Sequence, residues 1–219
     1  MVIKGVCLTF LGIGVFVMMQ VLMPILAFKV WEFAYYDQSQ ILVDPKPKNL
    51  AGKLIGGAVL GVSIENINNF PTIFSNNQRE VPYSEFKLTV PRINLYGVKV
   101  LVDSNDFSLN LAHLPGSGLP GEKGNVFISG HSSILQSLSD KEKALFINLP
   151  GIKKGDNIIL QALGEKYEYE VIGLKIVDPK DISVVNPPDE EGRYVSLMTC
   201  VPPGFNTKRL IVLGRLKAG

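Results

Sequence analysis

Short apolar runs with strand-like patterns fill the chain from residue 86 onward. Residues 167–171, Tyr-Glu-Tyr-Glu-Val, alternate strictly between apolar and acidic side chains, which is the pattern of a strand with one buried face. Gly and Pro residues separate the runs at short intervals, as they do in β-barrels and β-sandwiches. We therefore predict a mainly β domain. Its predicted strands are residues 86–90, 98–102, 125–129, 157–162, 167–177, 194–199 and 210–216.

Helical periodicity is weak in the same region. Only residues 108–113 and 140–148 carry a pattern that favours a helix, and both stretches are short. We therefore expect short helices between the strands and no long helix within the β domain.

The first 30 residues have a different character. Residues 5–28 form a run of 24 positions without a charged side chain, which as a helix would cross a hydrocarbon core of roughly 30 Å. A cleaved signal peptide is the competing interpretation, but its apolar part usually covers only about 7–15 residues. Trp31 follows the run, where an amphipathic aromatic side chain suits a membrane interface. We predict an uncleaved single-pass anchor over residues 1–30, with the N-terminus inside the cell and the next domain outside.

Residues 31–79 are predicted to link this anchor to a domain of residues 80–219. The Asp-Pro-Lys-Pro sequence at 44–47 favours an extended chain. Residues 54–64 are apolar, but 11 residues rise only roughly 16 Å as a helix, too short for a second span. Residues 66–78 are rich in Asn and contain Pro, and they are interpreted as a loop.

The charge balance excludes one class of partner. With 22 Lys and Arg against 20 Asp and Glu, the formal net charge is +2, whereas a nucleic-acid-binding surface is strongly basic. We expect no nucleic-acid partner. Acidic residues such as Asp178 and Asp181 have no His or Cys at ligand spacing, so we expect no metal site and no cofactor.

Candidate chemistry centres on one cysteine. Cys7 lies inside the apolar N-terminal run, which leaves Cys200 as the candidate reactive thiol. Cys200 ends a strand-like run that Pro202 and Pro203 must terminate, because proline lacks the N–H that a β-ladder needs. The next predicted strand begins near Arg209. If the two strands pair, the guanidinium and the thiol face one site.

Histidine is scarce, with only two in the chain. His131 follows the strand 125–129 and enters a loop, a position from which an imidazole can carry protons in catalysis. Acyl transfer by cysteine needs such a proton carrier and a donor to the charged oxygen, which Arg209 can supply. The alternatives are a buried, inert Cys200 and a surface His131. His113 is interpreted as structural.

Several motifs, in chain order, resemble those of the sortase family. Residues 196–200, SLMTC, are similar to the family signature TLxTC, with Ser196 in place of the first threonine. Residues 206–210, NTKRL, resemble the segment that carries the family's arginine, and ISGH at 128–131 resembles the strand end that carries its histidine. Further similar stretches are VPRI at 90–93, HLPG at 113–116, LPGEKGN at 119–125, KGD at 154–156 and VDPKD at 177–181.

The resemblance implies a closed, eight-stranded sortase-type β-barrel with cysteine transpeptidase activity. It implies that Cys200 is the nucleophile, that His131 acts as general acid and then as general base, and that Arg209 donates to the substrate carbonyl or oxyanion. Substrate-binding residues implied in the same way are Leu197, Thr199, Asn206 and Thr207.

The implied substrate is an LPxTG-like sorting signal of a surface protein, cut between Thr and Gly through a thioacyl intermediate. The implied acceptor is an amine, on a cell-wall precursor or on a pilin lysine. Anchored in the membrane by its N-terminal helix, the enzyme would meet both partners outside the cell. Ser132 and Ser133 replace an arginine that several subclasses carry after the histidine, and Pro203 replaces an aromatic residue of the pilin-assembling ones. These differences favour a wall-anchoring or housekeeping enzyme over a pilin polymerase.

Two other functions stay open. An L,D-transpeptidase or another cell-wall cysteine acyltransferase also uses Cys, His and Arg, although an L,D-transpeptidase would place its arginine almost next to the cysteine. A non-enzymatic, anchored surface-binding module would keep Cys200 buried and inert. Modification of the native thiol separates an enzyme from such a module, because a reactive cysteine sits in an accessible, activating environment.

Overall fold

The computed structural model describes residues 2–36, 62–67, 70–75, 81–104, 110–132, 144–203 and 207–217. The chain divides into two compact units, Met1–Gln38 and Ser39–Gly219. Among the described residues, the first unit contains one helix and the second contains the strands.

The N-terminal unit is the helix α1, Val2–Tyr36, which covers the whole uncharged run of residues 5–28. Within the described ranges, no helix combines the length and the apolarity that a membrane crossing needs. The anchor over residues 1–30 therefore stays a prediction.

A β-hairpin lies in the region that was expected to link the anchor to the domain. Strands β1, Val62–Ile67, and β2, Phe70–Ser75, pair antiparallel in a two-stranded sheet. The loop interpretation of residues 66–78 is therefore wrong at residues 66–67 of β1 and throughout β2. Pro71 is compatible with this strand because both strands of a two-stranded sheet are edges, where a missing N–H is tolerated. Most of the apolar stretch 54–64 lies outside the described residues.

Eight strands close into a barrel in the order β10-β8-β7-β3-β4-β5-β6-β9, with β9 and β10 paired. The predicted mainly β, eight-stranded barrel is confirmed, and all seven predicted strands are present. Two neighbouring pairs, β4–β5 and β6–β9, are parallel. The strands are β3 Glu85–Val90, β4 Leu95–Leu101, β5 Leu111–His113, β6 Gly124–Ser129, β7 Asn157–Ala162, β8 Glu165–Val177, β9 Arg193–Val201 and β10 Lys208–Leu216.

The two helical predictions are wrong where the structure describes them. Residues 111–113 form strand β5, which pairs with both β4 and β6. Residues 144–148 form turns that lead into a short 3-10 helix, Leu149–Gly151. The proline at position 150 fits the first turn of this helix, where its missing N–H has no partner to lose.

The barrel is held together by aliphatic side chains that are completely buried. Leu88 on β3 lies opposite Leu160 on β7, and both side chains are fully removed from solvent. Complete burial of one such side chain stabilises the fold by about 1.5–3 kcal/mol. The barrel is therefore a rigid support for the end at which β6, β9 and β10 meet.

Candidate active site

Cys200 is the second-last residue of β9, and it is only 3% exposed to solvent. Strand β10 runs antiparallel to β9, with Arg209 directly opposite Cys200. Directly opposite residues project their side chains from the same face, with Cβ atoms about 4.5–5.5 Å apart. The two strands thus pair as expected, and the guanidinium and the thiol share one face.

His131 lies just beyond β6, which runs parallel to β9 as far as the pair Ser129 and Met198. Hydrogen bonds continue this pairing past the end of the ladder. The backbone N–H of Gly130 donates to the carbonyl of Met198 at 3.1 Å, and the hydroxyl of Thr199 donates to the carbonyl of Gly130 at 2.8 Å. These bonds bring the backbone of His131 to the end of β9 that carries Cys200.

A serine next to His131 makes a further connection. The Ser132 hydroxyl donates to the carbonyl oxygen of Cys200 at 2.6 Å. His131 therefore stands between two residues, Gly130 and Ser132, that are both bonded to β9. Its own carbonyl accepts a hydrogen bond from the N–H of Phe146 at 3.1 Å. The sequence analysis did not single out Ser132 for a role, and its only signal there was a hydroxyl residue directly after the candidate histidine.

Burial and charge act in opposite directions on the thiol. Burial raises the pKa of Cys200, because it disfavours the charged thiolate, and the nearby Arg209 guanidinium lowers the same pKa by a smaller amount. Burial also lowers the pKa of His131, because it disfavours the imidazolium. Near neutral pH the neutral thiol and the neutral imidazole are therefore the favoured forms.

An apolar cluster surrounds the thiol on its face of the sheet. Val184 and Val185, from the 3-10 helix Ile182–Val185 in the β8–β9 connection, pack against this cluster. The side-chain amide of Asn125 donates to the carbonyl of Val185 at 3.0 Å and ties the connection to β6. The buried members of the cluster are Leu114, Phe127, Val177, Met198, Cys200 and Ile211.

The four expected substrate-binding residues have different positions. Leu197 and Thr199 are fully buried, and Thr199, which alternates with Cys200 along β9, projects from the other face of the strand. Leu197 lies on the same face as Thr199, while the Thr199 hydroxyl bonds to Gly130. Thr207 is exposed beside the start of β10, and its hydroxyl lies 3.4 Å from the carbonyl of Val201. Asn206 lies outside the described residues.

His113 is buried in a second constellation that at first resembles a serine hydrolase triad. Its Nε2 lies 2.9 Å from Ser117 Oγ, and its Nδ1 lies 3.3 Å from Asp103 Oδ1. However, Nε2 also lies 2.8 Å from the carbonyl of Gly118, which can only accept, so Nε2 carries a proton and cannot serve as a base. The Ser117 hydroxyl donates to the carbonyl of Leu114 at 2.8 Å. These contacts agree with the structural interpretation of His113.

The described part of the chain offers no cluster of three or more His, Cys, Asp or Glu side chains that could hold a metal ion. Cys200 and Arg209 instead face each other across β9 and β10, and the residues on either side of His131 are bonded to the same end of β9. The thiol can attack a carbonyl, the imidazole can carry a proton, and the guanidinium can donate hydrogen bonds to a charged oxygen.

Comparison with protein-family models identifies the family to which the barrel belongs. The model of the sortase domain matches residues 88–217, which is more than half of the chain. The chain belongs to the sortase family. This membership sets aside the L,D-transpeptidase alternative, and it identifies the closed barrel as a sortase barrel.

The chain is also similar to individual sortases, in sequence and in structure. Sortase A of Bacillus anthracis is 36% identical over 94 residues, which cover 43% of this chain and 41% of that protein. The chain therefore spans about two fifths of the length of that curated relative. Among solved structures, a lid mutant of sortase A from Corynebacterium diphtheriae has a TM-score of 0.55 and 30% identity, covering 66% of this chain and 75% of that chain.

A second solved structure is similar to the same degree. Sortase C of Clostridium perfringens, solved with the C-terminal cell wall sorting motif, has a TM-score of 0.53 and 28% identity. The similarity covers 61% of this chain and 70% of that chain.

Proposed function

We propose that this protein is a cysteine transpeptidase that uses Cys200, His131 and Arg209. The observation that carries the proposal is the pairing of Cys200 with Arg209 across β9 and β10, together with the hydrogen bonds that bring His131 to the end of β9. Membership of the sortase family supports the same activity.

In the proposed reaction, Cys200 Sγ attacks the scissile carbonyl carbon after its proton passes to His131. The C–S bond forms, and the carbonyl oxygen takes up negative charge, which the Arg209 guanidinium stabilises. His131 then gives its proton to the leaving amine as the C–N bond breaks, which leaves a thioester. An incoming amine, deprotonated by His131, attacks the thioester carbon and releases the thiol.

The pKa directions describe the state in which this reaction starts. Chemistry needs the thiolate and the imidazolium together, whereas burial favours the neutral forms of both Cys200 and His131. The ion pair is therefore a minor form of the resting protein, and Arg209 increases its population by stabilising the thiolate. A peptide also needs the packing around the thiol to open, because Cys200 is 3% exposed within its apolar cluster.

The proposed substrate is an LPxTG-like sorting signal, cleaved between Thr and Gly. The similarity to the sortase C structure with the C-terminal cell wall sorting motif supports this class of peptide. The proposed acceptor is an amine of a cell-wall precursor or of a pilin lysine. Leu197 and Thr199 are assigned to support of the site, because both are buried and Thr199 is bonded to Gly130.

We also propose that α1 anchors the protein in the cell membrane, with the barrel outside the cell. The uncharged run of residues 5–28 supports this position. Large apolar side chains on α1, such as Phe10, Phe16 and Met19, are exposed to solvent in the isolated chain. Membrane fractionation of cells, followed by protease treatment of the intact cells, tests both the anchor and the side on which the barrel lies.

The decisive experiment is mass spectrometry of peptides incubated with the protein and hydroxylamine. An LPxTG peptide should yield a hydroxamate at Thr, because hydroxylamine attacks the thioester carbon and releases the thiol. Cys200→Ala should abolish the product, whereas the matched variant Cys7→Ala should retain it. An equal yield from Cys200→Ala would refute the proposal. No product from the wild type, with a thiol that reacts only after unfolding, would favour the surface-binding module.

A further inference from the structure

The hydroxyl of Ser132 makes a hydrogen bond to the residue proposed as nucleophile, and no step of the reaction uses it. Ser132 is 2% exposed, and its Oγ lies 2.6 Å from the carbonyl oxygen of Cys200. The two residues are 68 positions apart in sequence, so this bond joins distant parts of the chain. The hydroxyl proton is committed to this carbonyl.

The bond continues the parallel ladder between β6 and β9. The last backbone bond of this series runs from Gly130 N–H to the carbonyl of Met198. Alternate carbonyls of a strand point the same way, so the carbonyl of Cys200 points toward the β6 side, as that of Met198 does. The Ser132 side chain donates at the position where the next backbone N–H of a regular ladder would donate.

We propose that Ser132 is a positioning residue that holds the His131 imidazole in register with the Cys200 thiol. The proposal rests on the proposed transpeptidase function. Gly130 and Phe146 fix the backbone of His131 relative to neighbouring elements, but Ser132 is bonded to the cysteine residue itself. Ser132 acts through geometry and is not a catalytic residue.

Loss of this bond should slow the chemical step more than it weakens substrate binding. A displacement of about 1 Å between reacting groups can reduce a rate about 100-fold. For Ser132→Ala we therefore expect kcat to fall by about 10- to 100-fold, with KM changed by less than about 3-fold. Ser132→Thr keeps the hydroxyl and should recover most of the rate.

The test uses the full-length protein, an LPxTG peptide and hydroxylamine. The matched control is Ser196→Ala, because Ser196 is also buried on β9 and its hydroxyl has no hydrogen-bond partner in the described structure. It should keep kcat within about 2-fold. A kcat of Ser132→Ala within 2-fold of wild type would overturn the proposal. A similar loss in Ser132→Thr would also overturn it, because the hydroxyl would then not be the decisive group.

A second pair of variants separates the loss of the hydroxyl from an effect on folding. Thr and Val have nearly the same shape, so Ser132→Thr and Ser132→Val place the same bulk in the same buried site and differ in the hydroxyl. Circular dichroism should give both the wild-type spectrum. We expect only Ser132→Val to lose activity, and equal kcat values for the two would contradict the proposal.

A measurement without turnover separates this proposal from the proposed function. Methylthiolation of Cys200 in a Cys7→Ala background should shift the NMR resonances of the His131 imidazole, with His113 as the internal reference. The shift should shrink in Ser132→Ala and persist in Ser132→Thr. If the wild type makes no hydroxamate but this dependence holds, the function fails and the positioning role stands. An unchanged shift in Ser132→Ala overturns the positioning role whether or not the enzyme turns over.

Discussion

At the scale of single residues, the site depends on a buried cation beside a buried thiol. Arg209 is 2% exposed and faces Cys200 across the strand pair. Its charge lowers the pKa of the thiol, but burial raises that pKa by a larger amount. Arginine suits this position because it stays protonated and its planar group can donate several hydrogen bonds to one oxygen.

Removing the charge at position 209 should make the thiolate harder to form. In Arg209→Met the opposing effect of the guanidinium is lost, so the pKa of Cys200 rises and its alkylation by iodoacetamide shifts to higher pH. Arg209→Lys keeps a charge, and its alkylation profile should lie closer to wild type. Both measurements use a Cys7→Ala background, so that only Cys200 reacts. An unchanged profile in Arg209→Met would show that the guanidinium does not act on the thiol.

Turnover should separate the two roles of Arg209. Arg209→Lys should still lose about 100-fold in kcat, because one ammonium cannot reproduce the forked donor to the oxyanion. Hydroxamate formation measures this loss. Near-wild-type turnover in Arg209→Lys would mean that position 209 contributes charge alone.

The pH dependence of turnover should be bell-shaped. The proposed reaction needs Cys200 deprotonated and His131 protonated, and the pKa of the thiol is raised while that of the imidazole is lowered. Below the pKa of His131 the rate falls because the thiolate is lost, and above the pKa of Cys200 it falls because the imidazolium is lost. The maximum lies between them. A kcat/KM profile that rises through a single step would contradict this two-group scheme.

At the scale of secondary structure elements, the site is built where a parallel pair and an antiparallel pair share one strand. β9 pairs with β6 on one side and with β10 on the other; His131 lies just beyond the end of β6, and Arg209 lies on β10. The end of β6 continues without a break into Gly130, where a side chain would collide with the core. An ideal Cβ there lies 2.5 Å from Leu111 Cδ2 and 2.7 Å from Phe146 Cδ2.

Gly130→Ala should therefore damage both stability and activity. The added methyl group must displace Leu111 or Phe146, which costs about 1–3 kcal/mol in a packed core. It should also shift His131, the next residue, and lower kcat. Urea unfolding followed by circular dichroism gives the stability change. Gly151→Ala is the control, because the nearest atom to its new Cβ is 4.0 Å away, and equal effects of the two variants would argue against a packing cause.

The sequence predicts the long strands well because each carries its own pattern. Strand β8 carries alternating apolar and polar residues at 167–171. The predicted bounds of β7 are the same as the observed ones. β5 was missed because it has three residues, all buried, and no alternation can be seen in so short a run. The pairing of β5 with β4 and β6 makes it a strand, and such pairing cannot be read from local pattern.

The sequence also indicates some residues of the candidate site but not all of them. Cys200, His131 and Arg209 were singled out because strand ends and loops are where reactive side chains become usable. The hydrogen bond of Ser132 and the packing of Val184 and Val185 against the cluster of Cys200 could not be predicted, because both connect segments that lie far apart in sequence. Leu197 and Thr199 were assigned to substrate by their place in the signature, whereas alternation along β9 turns Thr199 away from the Cys200 side chain.

At the scale of the whole molecule, the barrel closes without the N-terminal third of the chain. Its eight strands run from Glu85 to Leu216, and the hairpin of β1 and β2 forms a separate two-stranded sheet. A closed barrel has no free edge strand that needs an outside partner. The resemblance to sortases predicts this closure, but the local strand pattern does not, because the order of strands around the barrel differs from their order in the chain.

A fragment of residues 80–219 should fold and stay active. Because all eight barrel strands lie within it, we expect a cooperative unfolding transition and hydroxamate formation with kcat within about 3-fold of the full-length protein. Calorimetry and the peptide assay check these two expectations. An unfolded fragment would mean that upstream residues complete the hydrophobic core.

The burial of Cys200 also affects how well its thiol survives oxidants. Oxidation of cysteine to sulfenic acid and beyond proceeds from an accessible thiolate. At 3% exposure the thiol is nearly inaccessible, and with its raised pKa it is mostly protonated. Peroxide and disulfides should therefore attack it only when the packing around it opens, so the resting protein should tolerate an oxidising environment and be vulnerable mainly during turnover.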